Sequence, residues 1–260
     1  MAYKLRLGTF LAFFCFSIDF AAGQVQPQTE RKDSLMHIPI IYASFGADAV
    51  GGDMKDRYGP NFEAGAGFLF KTKTNWLFGA DFNYLFGDIV KEGILDSILT
   101  SDGQLIGSDG LYSDVRVTER GIKLPVLKAG KLVSAPFFNG SVNSGFFGLV
   151  GVGFLQHKIN FEDVTQTAKQ IGGDYRKGYD RLTNGLVLTQ TAGYLYLDKK
   201  RLINFFIAAE FSQGFTKSRR DFDFSTMQHD DKARKDLFYG VKVGWAFPIY
   251  KKLPQTYYYN

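Results

Sequence analysis

Between Trp76 and Gly87 the chain reads WLFGADFNYLFG, and its character changes with every residue. Trp76, Phe78, Ala80, Phe82, Tyr84 and Phe86 fall on even positions, and Leu77, Gly79, Asp81, Asn83, Leu85 and Gly87 on odd ones. A helix would scatter these aromatics around its circumference, whereas a strand sends successive side chains to opposite faces. The stretch is therefore a strand with one aromatic wall and one face that is small or polar. Whatever covers the first face is a different medium from whatever meets the second.

The same period recurs along the chain. In Phe62 to Lys71, Phe62, Ala64, Ala66, Phe68 and Phe70 oppose Glu63, Gly65, Gly67, Leu69 and Lys71. Thr72 to Asn75 between these two segments is a hairpin-sized polar turn. Leu202 to Gly214 sets Ile203, Phe205, Ile207, Ala209 and Phe211 against a face holding Asn204, Glu210, Ser212 and Gly214. Leu237 to Ile249 sets Tyr239, Val241, Val243, Trp245 and Phe247 against Gly240, Lys242, Gly244 and Ala246. Ile38 to Val50 alternates similarly. Val115 to Leu127 changes phase near Glu119 to Gly121, the mark of a bulge. Gly145 to Ile159 and Gly185 to Leu197 are apolar on both faces, which leaves their phase open. The total is eight strands, or ten if Asp88 to Leu99 forms a hairpin. Connections alternate between short (72–75, 198–201) and long, polar ones (88–114, 161–184, 216–236), with 128–144 a medium-length return on the short side.

Charge shares a face with glycine and lies opposite phenylalanine. The chain holds 26 Phe, 14 Tyr and 29 Gly. A soluble barrel with an apolar interior would carry charge on the outer face, the reverse of this pattern. In hydrocarbon every backbone polar group needs a partner, so strands cross a bilayer only as a closed barrel. The expected fold is all-β: a single closed antiparallel transmembrane barrel of eight strands, with short turns at one end and long loops at the other. An eight-strand interior is just wide enough for side chains. Glu63, Asp81, Asn83, Arg116, Arg120, Glu210 and Lys242 are expected to form a polar network there, Glu210 pairing with Lys242 on the neighbouring strand. Such a lumen is a plug rather than a channel. Trp76, Tyr84, Tyr239, Trp245 and Tyr250 fall near strand ends, where an aromatic girdle belongs.

The N-terminus reads as an export address. Lys4 and Arg6 precede the apolar run Gly8 to Ile18, which is too short to span a bilayer, and Ala21-Ala22-Gly23 supply small residues before a cut. The expected division is a signal peptide over 1–23, a polar lead over 24–36, a barrel over 37–250 and a short tail over 251–260. Cys15 is the single cysteine, which excludes an internal disulfide framework and a cysteine-ligated zinc site.

Over about residues 37–250 this architecture resembles the small outer-membrane β-barrel proteins of Gram-negative bacteria, of the OmpA-transmembrane-domain, OmpX and OmpW types. Its aromatic-rich style is similar to outer-membrane β-barrel proteins common in Bacteroidota. The resemblance implies an integral outer-membrane location and insertion by barrel-assembly machinery. That machinery reads a last-strand signal of polar-x-Gly-x-x-hydrophobic-x-hydrophobic, which Lys242, Gly244, Phe247 and Ile249 match. Pro248 and the tail after it depart from the family pattern.

No catalytic set emerges. His37, His157 and His229 are the only histidines. His157 is expected at a strand end as an ordinary rim residue, nothing in the spacing arguing for a couple with Ser212 or Ser218 across the barrel, and His229-Asp230-Asp231 is a solvated loop cluster. The calcium-loop spacing and a phosphate loop are both absent, so neither metal nor cofactor is expected. The long loops hold two mixed basic and aromatic runs, DYRKGYDR and KSRRDF. Tyr175, Arg176, Lys177, Tyr179, Arg181, Arg219, Arg220 and Phe222 could grip anionic headgroups, glycans or a partner protein, or pair with other loop charges. The net charge of +5 at this location fits an anionic lipid surface rather than nucleic acid. The expected function is non-enzymatic: a structural or interaction barrel, accessory to a larger outer-membrane assembly or secretion complex of other outer-membrane proteins or lipoproteins. The alternative is an OmpW-like barrel that binds or passes a small hydrophobic solute.

Overall fold

The computed structural model describes residues 33–250. The expected signal peptide, the lead up to residue 32 and the tail from 251 lie outside the described residues. Eight long strands carry the fold: β1 (Ile38–Gly52), β2 (Asn61–Lys71), β3 (Trp76–Gly87), β6 (Val115–Ser134), β7 (Gly145–Asp163), β8 (Thr183–Leu197), β9 (Asn204–Ser218) and β10 (Ala233–Pro248). They close in the order β1-β10-β9-β8-β7-β6-β3-β2, every pair antiparallel. β4 (Leu105–Ile106) and β5 (Tyr112–Ser113) form a separate hairpin outside the barrel, and Asp88 to Leu99 contributes no strand. A row of paired residues that leaves β6 at Lys131 travels round the ring and returns to β6 at Arg120. That stagger tilts the strands and fixes the narrow bore of an eight-stranded barrel.

The faces divide as the alternation requires. Ile41, Phe45, Phe68, Phe78, Val241 and Phe247 are exposed on the outside, while Tyr42, Asp81, Glu63 and Lys242 are buried within. Large apolar side chains cover the outer wall, and charged ones are sealed inside. This is the polarity of a barrel that crosses a bilayer.

Two phases left open by the sequence are set by pairing. On β7, Phe147, Leu149, Leu155, His157 and Ile159 face inward and Phe146, Val150, Val152 and Phe154 outward. On β8, Val187, Thr189, Thr191 and Leu195 face inward and Leu186 and Leu188 outward.

β6 departs from expectation. The register slips not near Glu119 to Gly121 but between Lys123 and Val126, where Leu124 and Pro125 bulge out opposite Phe82. Pro125 lacks the N–H a regular ladder needs, so the extra residue sits where pairing is already broken. Odd positions therefore face inward as far as Lys123, and even positions from Val126 onward. Arg116 and Arg120, expected in the lumen, lie on the outer side of this strand; Arg120 approaches Glu162 at 3.9 Å.

β6 also runs on to Ser134, so the return to β7 is a turn over 135–144 rather than 128–144. That turn folds under the barrel. Asn143 and Ser144 are buried, Lys71 Nζ donates to Asn143 Oδ1 at 2.9 Å, and Ser141 Oγ donates to Asp33 Oδ1 at 2.7 Å. The last residues of the polar lead are thereby tied to the short-turn end.

Candidate functional site: a filled lumen beneath a closed cap

The lumen is occupied at three levels. Nearest the short turns, Ile38, Ile40, Leu77, Leu132, Phe147, Leu195, Leu197 and Phe206 pack into an apolar plug. Above it lies a charged layer drawn from five strands. Lys242 Nζ sits 2.6 Å from Glu63 and 3.2 Å from Glu210. Lys123 Nζ lies 3.0 Å from Glu63, and Lys128 Nζ lies 2.9 Å from Glu210 and 2.7 Å from Asp81. Tyr42 donates to Asp81 at 3.0 Å and Thr191 to Glu210 at 3.0 Å. Three ammonium groups thus meet three carboxylates with almost no exposure to water, which a buried charge requires if it is to stay ionised. Asn83 accepts from Lys242 at 3.4 Å. Glu63, Asp81, Asn83, Glu210 and Lys242 all stand where the alternation placed them.

Lys123 and Lys128 are functional members of this layer that the sequence reading missed. Five residues apart, they would face opposite sides of a regular strand. The bulge turns both inward. The signal was present in Pro125, a residue that central strands reject unless pairing is interrupted.

A second polar layer lies toward the long loops. His157 Nε2 is 3.0 Å from Asp236 Oδ2, and Thr216 Oγ1 donates to the same oxygen at 2.5 Å. Asn61 donates to Glu119 at 3.1 Å. His157 is fully buried, not a rim residue as expected, because β7 continues six residues beyond it, from Lys158 to Asp163. Its partner is Asp236. The order His–Asp–Thr puts the carboxylate between the other two, so the imidazole touches no nucleophile.

The loops close over this layer. α1 (Asp53–Arg57) dips into the mouth, and Met54 and Tyr58 pack with Ile94, Leu95, Leu105, Ile159, Phe161, Ile171 and Tyr179. Ion pairs lock the cap. Arg181 bonds Glu92 at 2.5 Å and Asp223 at 2.9 Å, Arg57 lies 3.6 Å from Glu92, and Arg220 grips Asp180 at 2.7 and 2.5 Å. Asp180 raises the pKa of the Arg220 guanidinium further, chiefly through these hydrogen bonds. Arg176 donates to the Phe161 carbonyl, Tyr179 stands edge-on to Phe224, and Phe222 packs against Phe224 and His229. Of the loop residues singled out from the sequence, these five serve the cap's own packing. Tyr175, Lys177 and Arg219 project outward, Lys177 in an exposed pair with Asp174. Arg219 also donates to Asn184. Among the described residues no group of three or more His, Cys, Asp and Glu side chains converges as a metal site.

On the last strand, Lys242 and Gly244 face the lumen and Phe247 and Ile249 face outward. Pro248 is accommodated because β9 has already ended: its last partner on β10 is Trp245, while Ile249 N still bonds Pro39 O on β1.

A groove of about 650 Å³ crosses the outer wall over β6 to β10. Gly148, Ala192 and Ala209 pair in register along its floor, and Val150, Phe211 and Tyr239 rise beside it. Gln190, paired with Val150 and Phe211 in mid-strand, places an exposed amide on this lipid-facing surface.

Fold and lumen together define a closed, eight-stranded transmembrane β-barrel. The chain is similar to Ail, the attachment invasion locus protein of Yersinia pestis, solved in complex with the heparin analogue sucrose octasulfate. Identity is 13%, the TM-score is 0.40, and 82% of this chain and 99% of that one are covered. It is also similar to Neisserial surface protein A (9% identity, TM-score 0.36, 80% and 97% covered) and to the outer membrane protein OprG of Pseudomonas aeruginosa (14%, 0.37, 82% and 97%). No protein-family model and no curated protein matches the chain.

Proposed function

We propose that this chain is a non-enzymatic integral outer-membrane barrel that acts as a structural or interaction protein, accessory to a larger outer-membrane assembly or secretion complex. Its short-turn end faces the periplasm and its capped end the exterior. Lys242, Gly244, Phe247 and Ile249 serve as its assembly signal. The observation that carries the reading is the filled lumen. An apolar plug, a neutralised charged layer, a second hydrogen-bonded polar layer and an ion-paired cap leave no path for a solute, which argues against an OmpW-like conduit and moves function to the outer surfaces.

On those surfaces the groove around Gln190 supports a protein neighbour. An amide facing hydrocarbon lacks a hydrogen-bonding partner, and small residues let another backbone approach closely. Tyr175, Lys177 and Arg219 offer a second contact outside the membrane. Purification from native outer membrane in mild detergent tests the proposal. A stoichiometric complex with another outer-membrane protein or lipoprotein is expected, lost in Ala192→Trp, which fills the groove. A lone monomer under the same conditions overturns the accessory role.

A further inference from the structure

The short-turn end carries an unusual pair of residues. Each of its three turns holds one non-glycine residue at positive φ: Asn75 at 64°, Phe138 at 53° and Arg201 at 64°. Asparagine visits this region more readily than most residues, whereas a phenylalanine or an arginine pays for its Cβ there. Residues kept in a costly conformation point to a use for their side chains.

The turns bearing Phe138 and Arg201 are joined. Gly140 bridges to Asp198, Ser141 N donates to Leu197 O at 2.7 Å, and Lys199 N donates to Asn139 O at 3.3 Å. The joined turns present Phe138, 99% exposed, together with Lys199 and Lys200, both exposed. Arg201 is held with its guanidinium carbon 3.7 Å from the centre of the Tyr250 ring. Among the described residues none of these three cations has an ion-pairing carboxylate. The capped end differs, since Arg57, Arg181, Arg220 and Arg234 there all find acidic partners.

The lipid-facing wall runs directly into this patch. Val133, Leu202, Ile203 and Trp245 are all more than half exposed, so the turns sit at the level where acyl chains give way to headgroups. At that depth a fully exposed phenylalanine is buried by lipid, and unpaired cations meet phosphate.

We propose that the turns over 135–144 and 198–203 together bind an anionic phospholipid of the leaflet they face. Phe138 enters the acyl boundary, and Lys199, Lys200 and Arg201 take the headgroup phosphate. This rests on the outer-membrane reading above, which a heat-induced shift in gel mobility of the refolded barrel tests independently.

Trp76 and Trp245 are the only tryptophans, and Trp245 pairs with Phe205, on the strand that the 198–203 turn begins. In Trp76→Phe protein, refolded into vesicles and shown by gel shift to be folded, Trp245 fluorescence is quenched by brominated phosphatidylglycerol or, in a matched mixture, brominated phosphatidylcholine. The expected result is a preference of about fivefold for phosphatidylglycerol, the worth of one interfacial cation. It should fall to near unity in Lys199→Gln/Lys200→Gln/Arg201→Gln. Phe138→Gly removes the backbone cost, so a purely structural Phe138 predicts an unchanged preference and a binding Phe138 a weakened one. Equal quenching by the two lipids in the parent protein, or a preference that survives the triple variant, overturns the assignment. So does capture of a periplasmic protein by the patch without any lipid preference.

Discussion

Glu210→Gln is the sharpest test of the charged layer. Glu210 faces Lys242 at 3.2 Å and Lys128 at 2.9 Å, with Lys123 at 3.8 Å, and is almost fully buried. Glutamine keeps the shape and can still accept from Thr191, so the change isolates the charge. It leaves three ammonium groups with two carboxylates, Glu63 and Asp81, and breaking a buried pair in this way costs about 3–5 kcal/mol. Removing a lysine as well, in Glu210→Gln/Lys128→Met, restores two against two and replaces an ammonium with an apolar chain of similar length. Most of the loss should return, giving a coupling of about 2 kcal/mol or more. The assay is urea unfolding of the refolded barrel in phospholipid vesicles, followed by tryptophan fluorescence and by the heat-shifted band. A single-variant cost below about 1 kcal/mol, the range of exposed pairs, would show that the layer is hydrated and that the plug argument fails. A double variant worse than the single would show that Lys128 does not share the charge balance.

Deleting Pro125 should remove the bulge and turn Lys128 to the lipid, where a mid-bilayer lysine costs about 2–4 kcal/mol. The expected outcome is loss of the folded band on the gel, while Arg116→Ala and Arg120→Ala stay within about 0.5 kcal/mol of the parent. Asp180→Asn should free Arg220 and open the cap without unfolding the barrel, read as faster protease cleavage within 164–182 at unchanged barrel stability. The pKa of Asp53 lies below the usual carboxylate value, held down first by the backbone N–H of Lys235 and then by Lys232. A depressed acid contributes stability above its unfolded pKa and loses it as pH falls through the folded one. Asp53→Asn should therefore lower the temperature at which the heat-resistant band disappears at pH 7, by a margin that shrinks as the pH falls below the unfolded carboxylate value.

Most of the architecture was legible in the chain because a transmembrane barrel writes its period into every strand. Lipid demands large apolar residues at each second position, and a narrow bore demands small or paired ones between them. Trp76–Gly87 and Phe62–Lys71 show this without help from any neighbour, and Glu63, Asp81, Glu210 and Lys242 were identifiable as lumen residues for the same reason. Where both faces are apolar, as on β7 and β8, the alternation carries no direction, and only pairing with β6 and β9 sets the phase.

Tertiary structure decided what local pattern cannot express. A single extra residue at Pro125 reversed the sense of every later position on β6, which brought Lys128 into the lumen beside Lys123, while Arg116 and Arg120 ahead of it face outward. Loop charges that look available in sequence were consumed by partners far along the chain, Arg181 by Glu92 and Arg220 by Asp180. At the opposite end Lys199, Lys200 and Arg201 stand together on one short turn, and among the described residues none of them has a carboxylate partner. One side chain's medium is a property of its strand and can be read from period. Its partner is a property of closure, which brings together residues that sequence distance keeps apart.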